Sequence, residues 1–187
     1  MGKEYRNSIR SRRSIRTAYA ELINEKKDAS KITVKEIVDR ADISKSTFYC
    51  HYNDINDLEL EIQNDVLKNA KECLDEFINN PESGLEVYLK KALDVIKKNE
   101  NDYKLIASGV YPTTFLNQYK EYVIETLMNT PKFKTKNQEP AKRYAEIAFF
   151  ACGYIDLICG YLQGYSKLSL DENVELAASF INDYLNK

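Results

Sequence analysis

The sequence predicts an all-α protein: an N-terminal three-helix helix-turn-helix unit joined to a C-terminal α-helical bundle. Three observations predict it. The chain has 187 residues but only 6 Gly and 4 Pro, too little punctuation for a sheet with many turns. It is 43% apolar, so it can bury a core and is not a disordered tail. Its apolar residues recur at three- and four-residue spacing along most of its length, the period of helices with one buried face. No internal repeat or low-complexity tract interrupts this pattern.

The first helix is legible from Ile15, Ala18, Tyr19, Leu22 and Ile23, an i, i+3, i+4, i+7, i+8 stripe. Arg10, Arg12, Arg13 and Arg16 lie mostly off it. "NEKKDASK" ends the pattern. "TVKE" then starts a second helix with a capping box, the Thr33 hydroxyl serving the Glu36 amide while Glu36 reaches back. Val34, Ile37, Val38 and Ala41 give that helix one apolar face, and it stops at Asp42. After a short turn Ser44 caps a third helix, "KSTFYCHY", with Ile43 and Phe48 aimed back at the second. Two short helices, a turn of a few residues and a buried residue in the turn make a helix-turn-helix. Such a motif offers the N-terminal residues of its second helix to the DNA major groove. Here those are Lys45, Ser46, Thr47 and Tyr49, whose donors and small polar groups suit phosphates and base edges.

The stretch "TVKEIVDRADISKSTFYCHYNDINDL" resembles the helix-turn-helix of the TetR family of transcriptional regulators. Thr33, Ile37, Ala41, Ser44, Thr47, Tyr49, His51 and Leu58 match that family's run at fixed spacing, and Val38, Ile43 and Tyr52 are conservative replacements. With the first helix added, the likeness covers about 45 residues. It implies a DNA-binding surface of Thr33, Lys35, Ser44, Lys45, Ser46, Thr47, Tyr49 and His51, with Tyr49 and His51 on the DNA backbone. Three positions depart from the pattern. Asp42 stands where the family has Gly in the turn, and Asp tolerates left-handed geometry better than most residues. Ser46 replaces another Gly. Ile55 stands where a Lys commonly sits just past the recognition helix, which shifts the weight of phosphate binding to Arg10, Arg12, Arg13, Lys35 and Lys45. Phe48 and Tyr52 read as core aromatics.

The body continues in helices. Leu58, Ile62, Val66, Leu67, Ala70, Leu74 and Phe77 mark one from about 55 to 79. Leu85, Tyr88, Leu89, Ala92, Leu93 and Ile96 mark the next. Shorter ones follow over about 102–109 and 113–129, then a polar loop, "NTPKFKTKNQEP". The last two span about 139–165 and 171–185. The domains are therefore expected at 1–54 and 55–187.

The helix over 139–165 is apolar almost all round from Ile147 to Leu162, which predicts a helix covered on several faces. At sixteen residues, that run falls below the ~20 a bilayer requires and reads as buried in protein. It carries Gly153, Gly160 and Gly164, each costing about 1 kcal/mol in a helix interior relative to Ala. Their spacing leaves room for a neighbouring backbone. Ala177 and Ile181 lie on the apolar face of the last helix. This pair resembles the helices through which TetR-type proteins dimerise, which implies a homodimer seamed by Gly153, Gly160, Gly164, Ala177 and Ile181. Packing of the two helices on each other within one subunit is the competing reading. The same resemblance implies a small-molecule effector pocket among the middle helices, with Tyr103, Tyr111, Phe115, Tyr119, Tyr122, Phe150 and Tyr154 as candidate lining. Ordinary core and surface tyrosine is the alternative for each.

Charge agrees with this division. Residues 1–52 hold twelve Lys and Arg against seven Asp and Glu, and the rest holds fifteen against twenty-two. A basic head on an acidic body suits a polyanion-binding module. The four cysteines, at 50, 73, 152 and 159, match no zinc or disulfide spacing and read as reduced thiols of a cytoplasmic protein. Cys50 and His51 alone make no metal site. No catalytic residues, metal or cofactor are expected. The chain has no Gly-rich phosphate loop, no histidine outside the head and no nucleophile–base pair at a readable spacing. The start of the chain has no apolar signal core. The expected partners are near-palindromic double-stranded operator DNA, a second copy and an unknown effector, with no membrane. The expected function is a regulator, a repressor released by its effector. The second reading is a TetR-like protein-interaction or co-activator subunit that has lost operator binding.

Overall fold

The computed structural model describes residues 3–26, 28–80, 84–107, 113–131 and 139–185. Among them are nine α-helices and one 3-10 turn, and no strand: α1 (Lys3–Lys26), the 3-10 turn (Ala29–Lys31), α2 (Val34–Ala41), α3 (Lys45–Tyr49), α4 (Ile55–Asn79), α5 (Leu85–Lys98), α6 (Glu100–Ala107), α7 (Thr113–Asn129), α8 (Pro140–Leu162) and α9 (Leu170–Leu185). The chain forms two compact units. One comprises residues 1–66 and 101–110, the other 67–100 and 111–187.

In the first unit the stripe of α1 is the core: Ile15, Ala18, Tyr19, Leu22 and Ile23 are all buried. They pack with Ile37 and Val38 of α2 and Phe48 of α3, since α1 touches both helices. Leu58 and Ile62 of α4 are fully buried. The second unit is built on α8, which packs against α7 and α9, while α9 also packs on α5. Leu74, Phe77, Val123 and Ile155 form one buried cluster there, and Tyr88 lies against Phe77 with ring centroids 4.9 Å apart.

Two features of α8 correct the sequence reading. The first is its end. The helix stops at Leu162, so Gly164 lies outside it, in a left-handed turn with φ 79°. The Tyr165 amide donates to the Gly160 carbonyl (2.8 Å) and the Gly164 amide to Tyr161 (2.9 Å). That pair is the Schellman arrangement, in which glycine takes a conformation that a Cβ penalises. The second is exposure. α8 is long and apolar enough to cross a membrane by length and composition, yet only 17% of that stretch is buried. Within a single chain it is therefore not covered on all the faces that its composition implies. Phe149 is 75% exposed and Tyr144 55%.

The turn into α9 is fixed by polar groups. Asn173 is 1% exposed, and its Nδ2 donates to the Ser169 carbonyl (2.8 Å), the Leu168 carbonyl (3.2 Å) and Ser166 Oγ (3.1 Å). Ser169 Oγ accepts from the Glu172 amide (3.2 Å), and the Glu172 carboxylate accepts from the Ser169 amide (2.7 Å). This is a second capping box.

Candidate nucleic-acid interface

The interface is built outward from caps. Thr33 and Glu36 close the capping box at the start of α2: Thr33 Oγ1 accepts from the Glu36 amide (3.3 Å), and Glu36 Oε2 accepts from the Thr33 amide (3.0 Å) and hydroxyl (2.9 Å). Lys26 adds an ion pair to Glu36 at 2.6 Å. Hydrogen bonds from Lys26 and Thr33 hold the Glu36 carboxyl down to about 2. At the other end of α2, Asp42 sits at φ 52° and ψ 51°, the single non-glycine residue of positive φ among the described residues. The Asp42 and Ile43 amides both donate to the Val38 carbonyl. Aspartate thus performs the left-handed turn that the motif elsewhere gives to glycine.

Ser44 caps α3. Its Oγ accepts from the Thr47 amide (3.1 Å) and lies 2.8 Å from the Thr47 hydroxyl. The helix is shorter than "KSTFYCHY" suggested: it ends at Tyr49, and residues 50–51 form a turn. Phe48 is fully buried and Tyr52 nearly so, while Tyr49 is 56% exposed. Tyr49 stands edge-on to Phe48 with centroids 5.6 Å apart, which steadies an otherwise solvated ring. The exposed residues at the N-terminal end of α3 are Ser44, Lys45 and Ser46. Thr47 and His51 are half-buried. Lys35 is exposed in the first turn of α2. The Thr33 and Ser44 hydroxyls are engaged as caps, so their first duty is to fix the helices that carry the other groups.

The basic residues sort into two sets. Arg12 and Arg16 turn toward α4 and α6: Arg12 meets Glu61 at 3.3 Å, and Arg16 meets Glu61 (3.4 Å), Asp65 (2.5 Å) and Asp102 (2.8 Å). Arg40 is clamped by Glu25 (2.8 Å) and Glu21 (3.3 Å). Arg10, Arg13, Lys35 and Lys45 have no ion pair among the described residues. Arg10 and Arg13 line an open groove with Ser14, Thr17 and Arg40. The cations left for a polyanion are therefore fewer than the sequence count suggests. Ion pairing at Arg12 shows why: a helix-wheel reading cannot tell a solvated arginine from one facing a carboxylate 49 residues away.

The start of α4 carries carboxylates on both sides of Ile55. Asp54 accepts from the Asp57 amide (2.9 Å), and Asp57 accepts from the Asn53 amide (3.0 Å). These acids favour the helix N-terminus.

The other candidate sites separate. Tyr119, Tyr122 and Tyr154 all pack on the Leu74–Phe77–Val123–Ile155 cluster of the second unit. Tyr122 donates to Asp75 (3.1 Å) and lies under the Lys71 ammonium, 4.4 Å from its ring centre. Phe150 is half-buried, edge-on to Phe149, and Phe115 is half-buried near the start of α7. Tyr103 belongs to the first unit, and Tyr111 lies outside the described residues. Of the residues expected at the seam, Gly153 is exposed, Gly160 and Ile181 are half-buried and Ala177 is buried. A Cβ built on Gly153 or Gly160 meets nothing within 4 Å.

No family profile matches this sequence, and no curated protein does. Solved structures do. A protein of Syntrophomonas wolfei assigned to the TetR family of transcriptional regulators aligns over 91% of this chain and 92% of its own, at 17% identity and a TM-score of 0.60. A TetR transcriptional regulator of Streptococcus agalactiae aligns over 95% and 97%, at 21% identity and a TM-score of 0.56. Over more than nine-tenths of its length, the chain thus has the all-helical fold of TetR-family transcriptional regulators.

Proposed function

We propose that the protein is a DNA-binding transcriptional regulator that acts as a homodimer in the cytoplasm. One observation carries the reading. α3 is capped by Ser44 and anchored by the buried Phe48, and it leaves Lys45, Ser46 and Tyr49 exposed on the helix that such a motif lays in the major groove. Lys35, Arg10 and Arg13 supply sequence-independent phosphate contacts. A single head this small reads few base pairs, so two copies on a near-palindromic site are required for specificity. The exposed apolar face of α8, with Gly153 and Gly160 open to a neighbour, supports pairing through α8 and α9. The aromatic cluster around Tyr119, Tyr122 and Tyr154 supports a largely apolar effector whose binding opposes that of DNA, which makes the regulator a repressor relieved by its ligand.

Selection of duplexes from a random pool by the full-length protein tests this reading. Lys45→Ala and Tyr49→Ala should each weaken the selected site by roughly 1–3 kcal/mol without lowering the melting temperature. Variants that bind like wild type would show that α3 is not the reading helix.

A second reading, a helical regulator subunit that binds protein and not DNA, draws on Asp42, Asp54, Ile55 and Asp57. They place negative or neutral groups around the recognition helix where a phosphate would be repelled or left without a partner. Selection of no duplex from the pool is the outcome that favours it.

A further inference from the structure

Arg16 gathers carboxylates from two other helices. Its Nη1 donates to Asp65 (2.5 Å) and Glu61 (3.4 Å) on α4, and its Nη2 (2.8 Å) and Nε (3.4 Å) meet the two oxygens of Asp102 on α6. The side chains of Arg16, Asp102 and Glu61 are only 15%, 17% and 24% exposed. At that burial a fork–carboxylate pair is directional and weakly screened. Glu61 continues the chain: its Oε1 also accepts from the Tyr52 phenol at 2.7 Å. Tyr52 lies three residues past the end of α3, and its amide donates to the Phe48 carbonyl.

We propose that Arg16 is a positioning residue for DNA reading: held by Asp102 of α6, it fixes Glu61 and, through Tyr52, the placement of the recognition helix. The inference rests on the DNA-binding reading above. α3 has five residues, too few for a helix to be rigid by itself. Its place is set by what grips its ends. Ser44 and the Asp42 turn grip the start, and Phe48 and Tyr52 grip the finish. Of these, Tyr52 alone is tied by its side chain to a charged group on another helix, and that group is oriented by Arg12 and Arg16. Burial works against the charge on Arg16, but the hydrogen bond to Asp65 and the charge of Asp102 outweigh it and raise its affinity for the proton. The cation at the centre is therefore permanent.

A structural role and a positioning role differ in one readout. Misplacing α3 removes base contacts and leaves phosphate contacts largely intact, so specific affinity falls while nonspecific affinity holds. The probes are the tightest duplex selected by the full-length protein and a scrambled duplex of the same composition. Asp102→Asn, Tyr52→Phe and Arg16→Gln should lower affinity for the selected duplex by roughly three- to thirtyfold and change the scrambled duplex by less than about twofold. Arg16→Lys, which keeps the charge but lacks the fork, should fall between Arg16→Gln and wild type. If Arg16→Gln does not fold, Tyr52→Phe decides, since it deletes one hydroxyl and keeps the ring in the core. Folded Tyr52→Phe and Asp102→Asn proteins with the wild-type ratio of the two affinities, or with equal losses on both duplexes, overturn the inference and leave the DNA reading standing. A wild type that selects no duplex overturns the DNA reading, and this inference falls with it.

Discussion

Asp42 is the residue on which the helix-turn-helix pivots. Its left-handed backbone costs an ordinary L-residue about 1–2 kcal/mol, and aspartate lowers that cost with a short polar side chain. Asp42→Val should destabilise the protein by at least about 1–2 kcal/mol, since a β-branched residue at positive φ is strained further. Chemical denaturation measures this, and a variant as stable as wild type would mean that the turn has another conformation. Glu36 gives a prediction in pH. Its carboxyl falls from an ordinary 4.5 to about 2 in the folded protein. A depressed folded value adds stability above pH 4.5, and that stability fades as pH drops toward 2. The acid limb of the stability profile should therefore be shallower in Glu36→Gln than in wild type over that window. The capping box behind this shift could be read from "TVKE" alone, because its two bonds join residues three apart. The tolerance of Asp42 for a glycine's role was equally local and equally legible. The partners of Arg16 were not: they lie 45, 49 and 86 residues away, and no pattern within a helix announces them.

At the scale of the element, apolar period locates the helices after α1 to within a few residues, and the differences fall at ends; α1 itself extends twelve residues ahead of its Ile15–Ile23 stripe, to Lys3. "CHY" continues the composition of α3 for three residues past its end, while the His51 and Tyr52 amides both close a turn on the Phe48 carbonyl. Apolar period alone carries α8 through Gly164, because glycine inside a helix and glycine just past one look alike in sequence; the Schellman bonds separate them. Gly164→Ala tests this assignment. An alanine held at φ 79° should cost about 1–2 kcal/mol, whereas in a helix interior the same change would stabilise by about 1 kcal/mol. The sign of the change in melting temperature separates the two. The capping box at Ser169 and Glu172, "SLDE", follows the same Ser/Thr-x-x-Glu pattern as "TVKE" and is equally legible in the sequence. It fixes where α9 begins, one residue before the boundary that the apolar stripe suggested.

At the scale of the whole molecule, the fold class was legible because helices dominate and their stripes are clean. The covering of α8 was not legible, because a helix apolar on every side says that it must be covered and does not say by what. Within one chain most of that stretch is only half-buried and Phe149 stands exposed, and pairing of two copies is the cover we propose. Phe149→Lys should then weaken the dimer by about 3–6 kcal/mol, since a two-fold seam loses the side chain twice. Light scattering at micromolar concentration should show wild-type dimer and variant monomer; a monomeric wild type would remove the seam.

Pairing through the half-covered face of α8, as proposed, would also tie the protein's endurance to its abundance. If unfolding must first separate two copies, each tenfold rise in concentration adds about 1.4 kcal/mol to the stability of the pair. The melting temperature should climb steadily on concentrating the sample, as it never does for a protein that covers its own core. A cell that makes little of this chain would then hold it in its most perishable form, and proteolysis would clear the last copies faster than the first.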